Sequence, residues 1–328
     1  MTEILNRLLE QKSLSFHEAK ALLTDIATNK FSPFQIAALA GIYNMRSPDL
    51  QEIRGFREAL LEICIHVDLS DFNAIDIVGT GGDGKNTFNI STLACFIVAG
   101  AGEKVIKHGN YGVSSVTGSS NLLESLGYVF THEKEHLQRQ VEKAGICFLH
   151  DPLFHPSLKN VASVRRGIGT RTFFNMLGPL LNPGEPKHHF LGVNHLELAR
   201  LYHYLYQSEN KNYAIVHSLD GYDEISLTGP FKCYEPKGEH LYSPEGLGRV
   251  KISHAAIAGG KNNDENKRIF LDILSGKGSV AQNEVALTNA AFALSLINQK
   301  PFKESYLRAK ESLESQRAKE SLDKLLSI

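Results

Sequence analysis

The sequence predicts an α/β protein: a small N-terminal helical subdomain, then a larger α/β domain with a central, mostly parallel sheet. Three observations carry that expectation. The first seventy or so residues show apolar positions at helical spacing behind helix-capping patterns. From Ile75 onward, strand-like and helix-like runs alternate, the pattern of a parallel sheet with crossover helices. Between the first of those pairs lies a glycine-rich loop, residues 79–84.

Taken in order, Leu5, Leu8 and Leu9, then Ala19, Leu22 and Leu23, recur at helical spacing. Ser15-Phe16-His17-Glu18 and Ser32-Pro33-Phe34-Gln35 are capping boxes, the second with proline in the first turn. Ser47-Pro48 is expected to start another helix. Such stripes ordinarily form a core. A subdomain this small cannot bury all of them, which leaves apolar surface for a homodimer interface. The expected boundaries are 1–70 for the helical subdomain, joined by residues 166–186, with 71–165 and 187–328 forming the α/β domain. Gly178-Pro179, Asn182-Pro183 and Glu185-Pro186 read as a turn-rich linker. The tail from Asn283 reads as two helices, the last with a solvated Lys- and Glu-rich face.

Composition narrows the function. A net charge of −1 over 328 residues gives no reason to expect nucleic acid. Cys64, Cys95, Cys147 and Cys233 are scattered, without a C-x-x-C pair, as expected of reduced thiols in the cytoplasm. There is no H-E-x-x-H among fourteen histidines, and no apolar run of membrane-spanning length, so neither zinc nor a membrane is expected.

The most informative stretch is residues 76–92, Asp-Ile-Val-Gly-Thr-Gly-Gly-Asp-Gly-Lys-Asn-Thr-Phe-Asn-Ile-Ser-Thr. A short β-prone run breaks into four glycines and then into an apolar helix. Glycines let backbone N–H groups approach a ligand closely, and a helix N-terminus offers unpaired N–H groups and a positive dipole end. Together these make a phosphate-binding turn. Asp83 is unusual there: a carboxylate beside a polyphosphate repels it unless a cation or a hydroxyl-bearing ligand intervenes. Gly79-x-Gly81-x-x-Gly84 also matches the dinucleotide fingerprint, but the next strand leads into Lys107 instead of the acidic residue a ribose needs. Gly84-Lys85-Asn86 lacks the Ser or Thr of a P-loop. A plain structural turn is the remaining alternative. A second cluster, residues 107–115 (Lys-His-Gly-Asn-Tyr-Gly-Val-Ser-Ser), follows the next strand-like run, and polar groups at successive strand ends converge on one crevice.

In this order the two clusters resemble the anthranilate phosphoribosyltransferase family. The resemblance continues through residues 164–172, 174–183 and 220–226, and covers nearly the whole chain. It implies transfer of the phosphoribosyl group of phosphoribosyl pyrophosphate (PRPP) to anthranilate, an early step of tryptophan synthesis, with Mg2+ as cofactor and the substrates meeting in the crevice between the domains. The implied PRPP contacts are Gly79, Gly81, Gly82, Asp83, Thr87, Asn89, Ser91, Thr92, Lys107 and Ser119. Those for anthranilate are Gly79, His108, Asn110, His155, Arg165 and Gly178, with Arg165 the partner of its carboxylate. Ser91, Asp223 and Glu224 are the implied magnesium ligands, and no residue is assigned as a general base. The resemblance leaves open whether a glutamine amidotransferase (anthranilate synthase) subunit binds. Three departures from the family pattern are Tyr111 in place of Arg, His150-Asp151, read as a surface change, and Lys261, read as a loop change. A pyrimidine nucleoside phosphorylase would share the fold but use inorganic phosphate, without needing the Asp-Glu pair. A noncatalytic nucleic-acid-binding relative would need a basic stripe.

Overall fold

The computed structural model describes residues 1–112, 116–209 and 211–328. Its elements in chain order begin with helices α1 (Thr2–Leu9), α2 (Phe16–Ala27), α3 (Pro33–Met45) and α4 (Leu50–Glu62). Strand β1 (Ile75–Gly79), α5 (Ile90–Gly100), β2 (Val105–Gly109), α6 (Ser119–Ser125), α7 (Lys134–Ala144) and β3 (Ile146–His150) follow. Next come α8 (Asp151–Phe154), α9 (Lys159–Ile168), β4 (His188–Gly192), α10 (Leu196–Ser208) and β5 (Asn212–Ser218). The chain ends with β6 (Phe231–Glu235), β7 (Gly238–Tyr242), α11 (Asn263–Leu274), α12 (Val280–Asn298), α13 (Phe302–Glu314) and α14 (Arg317–Ser327). None of the helices among the described residues is long and apolar enough to cross a membrane.

The chain forms two compact units. The helical unit comprises Met1–His66 with Asp151–Pro183. The second joining segment therefore begins at Asp151, ahead of the expected residue 166. The physical reason is that β3 ends at His150 and the chain turns directly into α8, whose Phe154 carbonyl accepts the Ile65 N–H at 2.8 Å. Both expected capping boxes form, at Ser15–Glu18 and Ser32–Gln35. The helix expected at Ser47-Pro48 starts later, at N-cap Asp49, whose carboxylate accepts the Gln51 and Glu52 N–H groups. The expected linker is partly structural. A 3-10 turn spans Gly178–Leu180, Arg57 donates to the Leu180 carbonyl at 3.0 Å, and Leu181 is buried. An aromatic core of Tyr43, Phe56 and Phe173 holds this unit, with ring centroids 4.8–5.4 Å apart.

Glu52 is the polar keystone of the helical unit. Its carboxylate is fully buried and accepts hydrogen bonds from Leu14 N–H, Tyr43 OH, Asp49 N–H and the Arg46 guanidinium. A buried carboxylate is tolerated only when its lone pairs are matched in this way.

The second unit, Val67–His150 with Gly184–Ile328, is built on a seven-stranded sheet of order β3-β2-β1-β4-β5-β6-β7. The first five strands are parallel, and β5-β6-β7 form an antiparallel meander. Successive side chains of a strand point to opposite faces. On β5, Ala214 and Val216 join the main core with α5 and α12, while Tyr213 packs against Tyr206 of α10, the rings tilted by 32° with centroids 5.6 Å apart. Helices thus cover both faces, as a parallel sheet requires. The tail holds three helices where two were expected. The capping box Ser279–Gln282 starts α12, and Gln299 and Gln316 break it from α13 and α13 from α14 in left-handed conformations (φ 53° and 65°). The last helix is also not wholly solvated: Ala318, Leu322 and Leu325 are buried in the main core.

Glu52→Ala strands the Arg46 charge and the Tyr43 hydroxyl inside the helical unit. Loss of one partner of a buried pair costs about 3–5 kcal/mol. Denaturant unfolding followed by far-UV circular dichroism should show a loss of this size.

Candidate active site

Strand order reverses between β1 and β4, which pair in register from Ile75↔His188 to Gly79↔Gly192. Ligands of open α/β sheets bind outside the carboxyl ends of strands at such a reversal. Both strands end there in glycine. A Cβ on Gly79 would lie 2.4 Å from Asp223 Oδ2, and one on Gly192 would lie 1.6 Å from the Asp223 carbonyl oxygen. The two glycines are therefore required by the turn after β5, which lays Asp223 across both strand ends.

From there the carboxylates reach into the glycine loop. Asp223 Oδ2 accepts the Gly81 N–H at 2.5 Å, and Glu224 Oε1 accepts the Ser91 N–H at 2.8 Å in the first turn of α5. Glu224 thus occupies the positive end of a helix dipole. Gly81, Gly82 and Gly84 adopt left-handed φ of 62–71°, a conformation that favours glycine. Asp83 Oδ1 accepts the Lys85 N–H at 3.0 Å, so this carboxylate caps the loop it sits in. The Lys85 ammonium lies 5.0 Å from the centre of the Tyr222 ring.

The electrostatics are those of an undercompensated anionic pair. Burial, and then the charge of Asp83, push the Asp223 carboxyl up to about 7. Burial, and then the charge of Asp223, push Glu224 well above its ordinary value. The Ser91 N–H and the Lys107 charge oppose that shift. Lys107, only 2% exposed, donates to the Ile77 carbonyl at 2.7 Å.

The remaining predicted groups of this unit are arranged around the loop. Thr87 bridges to Ala258, and Gly259 is required there because a Cβ would lie 2.7 Å from the Thr87 carbonyl oxygen. Asn89 donates to the Thr117 carbonyl at 3.0 Å, leaving the start of α5 without a cap from its own N-cap side chain. Thr92 is buried on the first turn of that helix. His108 is buried, its N–H donating to Asp76 Oδ1. Ser119 begins α6 and donates to the Asn110 carbonyl at 3.4 Å. Of the second sequence cluster, Val113-Ser114-Ser115 lie outside the described residues. Lys261, read as a loop change, is exposed and donates its N–H to Glu265.

The other predicted residues, His155, Arg165 and Gly178, belong to the helical unit. His155 Nε2 contacts the Leu181 carbonyl at 2.9 Å. Arg165 lies in the last turn of α9, where burial lowers its guanidinium from its ordinary value against the raising effect of Asp151. A desolvated cation of this kind favours a carboxylate partner. A Cβ at Gly178 would meet no atom within 4 Å, so neither packing nor a left-handed φ demands glycine there.

Sequence reasoning missed several residues. Gly192 and Asn194, whose side chain donates to the Gly81 carbonyl at 3.0 Å, carry the same strand-end signal that marked Gly79. Thr117 and Asn266 bond to each other at 2.9 Å, and Thr117 also bonds Asn263, tying α11 to the loops around α5. Nothing local in the sequence marks that network. The reading of His150 as a surface residue is corrected: it is 5% exposed, at the end of the edge strand β3, all five of whose residues are buried.

A glycine-rich loop and a buried acidic pair at a sheet's reversal point, in a chain that also folds a separate helical unit, suit a glycosyl transferase of the two-domain kind. Family models agree: residues 2–64 match the glycosyl transferase family helical bundle domain, and 71–319 its a/b domain. Anthranilate phosphoribosyltransferases from Flavobacterium johnsoniae and Flavobacterium psychrophilum are 51% and 52% identical over 328 residues, 100% of this chain and 99% of each relative. The crystal structure of the anthranilate phosphoribosyltransferase from Thermus thermophilus matches with a TM-score of 0.91 at 30% identity, over 98% of both chains. The Saccharomyces cerevisiae enzyme in complex with PRPP and Mg matches at 0.89 and 28% identity, over 98% of this chain and 96% of that one. The chain belongs to the anthranilate phosphoribosyltransferase family.

The raised carboxyls set a pH dependence for the metal-free protein. Their ionised forms are disfavoured in the fold, so the contribution of this pair to stability is fully present below the unfolded carboxyl range near ~4 and is lost as pH rises toward about 7. Thermal midpoints measured in a chelator across that window should fall more steeply for the wild type than for Asp223→Asn.

Proposed function

We propose that the chain transfers the phosphoribosyl group of PRPP to the amine of anthranilate, giving N-(5-phosphoribosyl)anthranilate and pyrophosphate in tryptophan synthesis. The observation that carries this reading is the Asp223–Glu224 pair, seated on the glycine ends of β1 and β4 and bonded to the N–H groups of Gly81 and Ser91. A nucleoside phosphorylase using inorganic phosphate has no need of such a pair.

PRPP is assigned to the sheet unit. Gly79, Gly81 and Gly82 and the start of α5 (Asn89, Ser91, Thr92) are assigned to phosphate and ribose oxygens, the Gly81 and Ser91 N–H groups passing to the ligand from Asp223 and Glu224, which hold them in its absence. Thr87, Ser119 and the Lys107 charge complete the contacts, and Asp83 lies on the same loop. Mg2+ fits Asp223, Glu224 and Ser91: it is a hard cation that prefers oxygen ligands, and a repelling carboxylate pair is stabilised by acquiring one. When bound, it would neutralise charge developing on the pyrophosphate leaving group.

Anthranilate is assigned to Arg165, His155 and Gly178 of the helical unit and to Gly79, His108 and Asn110 of the sheet unit. The Arg165 guanidinium suits the carboxylate, and the open space beside Gly178 suits the close approach of a planar ring. The nitrogen lone pair forms the new bond to the ribosyl carbon as the bond to the pyrophosphate oxygen breaks, and the amine then loses one proton. The protein's contribution is chiefly positioning and charge stabilisation.

We also place a homodimer contact on the helical unit, where Leu9, Phe34 and Met45 are 65%, 86% and 91% exposed. The four buried thiols suit a cytoplasmic setting.

Purified protein with PRPP, Mg2+ and anthranilate should release pyrophosphate. Glu224→Gln should lower turnover by about a hundredfold or more, on the scale of a lost transition-state electrostatic contact. Arg165→Ala should raise KM for anthranilate by the equivalent of about 1.5–3 kcal/mol while changing KM for PRPP little. Phosphorolysis of thymidine or uridine, without turnover of PRPP, would replace this reading with that of a nucleoside phosphorylase.

A further inference from the structure

After β2 come Asn110, Tyr111 and Gly112, which a cluster of side chains holds against α6. The Tyr111 hydroxyl donates to Glu124 Oε1 on α6 at 2.7 Å. The Tyr111 ring stands edge-on to the His150 imidazole, with centroids 4.9 Å apart and planes at 82°. His150 is in turn stacked on Phe130 at 4.2 Å and 13°, and its Nδ1 lies 2.9 Å from Ser120 Oγ. The imidazole is thus held by Phe130 on one face, by a perpendicular contact with Tyr111 and at one nitrogen by Ser120.

What these contacts immobilise is the backbone around the two substrate-facing positions. The Asn110 carbonyl accepts from Ser120 N–H at 3.2 Å as well as from Ser119 Oγ. Asn110 Oδ1 accepts the Tyr111 N–H at 2.7 Å. Asn121 Oδ1 gathers the N–H groups of Gly112 and Gly118 at 2.9 and 3.0 Å. Gly109 and Gly118 leave no room for slippage: a Cβ on the first would lie 2.4 Å from Ser119 Oγ, and on the second 2.1 Å from Gly112 N. Tyr111 is 40% exposed, so burial alone does not hold its ring in place. Its hydroxyl bond and its contact with His150 do. Tyr111 and His150 are also two of the departures from the family pattern, and here they touch.

We infer that Tyr111 and His150 form a coupled positioning pair that sets Asn110 for anthranilate and Ser119 for PRPP. The inference rests on the substrate assignment proposed above. Neither residue touches the reacting atoms. Each acts through the loop, so loss of either should loosen the same segment.

The test is a double-mutant cycle of Tyr111→Ala and His150→Ala, with Tyr111→Phe as the conservative variant. Steady-state kinetics and calorimetric binding of each substrate provide the readouts. Each alanine variant should raise KM for both anthranilate and PRPP, that for anthranilate about tenfold, the scale of a lost interaction, with kcat within about twofold of wild type. The double variant should be no worse than the poorer single one, because both act on one segment. Tyr111→Phe, which keeps the ring edge on His150, should recover most of the loss. Should His150→Ala fail to fold, His150→Asn, which removes the imidazole ring from the contact while keeping a polar partner for Ser120, replaces it in the cycle. Additive effects, a loss confined to kcat, or wild-type KM in the Tyr111→Ala variant would overturn the pairing while leaving the proposed reaction standing. A wild-type protein that binds neither substrate would overturn both.

Discussion

The sheet unit depends on one close approach: the Asp223 backbone crossing the ends of β1 and β4. That crossing is possible only because Gly79 and Gly192 carry no Cβ. Once it is made, Asp223 faces Gly81, Glu224 faces the first turn of α5, and the glycine loop is drawn into its left-handed turns. The phosphate cradle and the acidic pair are therefore one construction, joined by two hydrogen bonds and two missing side chains.

That construction is electrostatically uncomfortable by itself. Two buried carboxylates with Asp83 nearby raise each other's proton affinity, and a helix N-terminus and one buried lysine only partly compensate. Shifts of this kind gather at functional sites because the ligand supplies the missing charge. The proposed cation, bound together with a diphosphate, would answer both halves of the problem: the cation would neutralise the carboxylates, and the phosphates would face the glycine loop and Lys107. The same arrangement would let Asp83 sit in a phosphate loop.

Much of this was legible in the sequence because the signals are local. A β-prone run followed by glycines and an apolar helix has few other meanings, and Ser15 and Ser32 announced their capping boxes. The illegible parts depend on contacts distant in sequence. Gly192 looks like any strand-end glycine until Asp223 is laid over it. His150 looked like a surface departure because its burial depends on Phe130 and Tyr111. The segment from Asp151 belongs to the helical unit through a single turn at the end of β3, which no composition change marks. Asp49 prevailed over Ser47 as N-cap because its capping partner, Glu52, is also the buried anchor of the helical unit. The breaks at Gln299 and Gln316 place glutamines in left-handed conformations that residue preference does not favour.

One proton-linked claim is central to the proposal: the Asp223 carboxyl, pushed up to about 7, would be protonated near pH ~6 and would lose its proton when a cation-bound diphosphate binds. Calorimetric titration of PRPP with Mg2+ at pH ~6, repeated in buffers of different ionisation enthalpy, counts the protons exchanged on binding. The account predicts net proton release of about one per site, diminishing toward pH ~8 and abolished in the Asp223→Asn, Glu224→Gln double variant. Binding without proton release at pH ~6, or equal release from that variant, would contradict it.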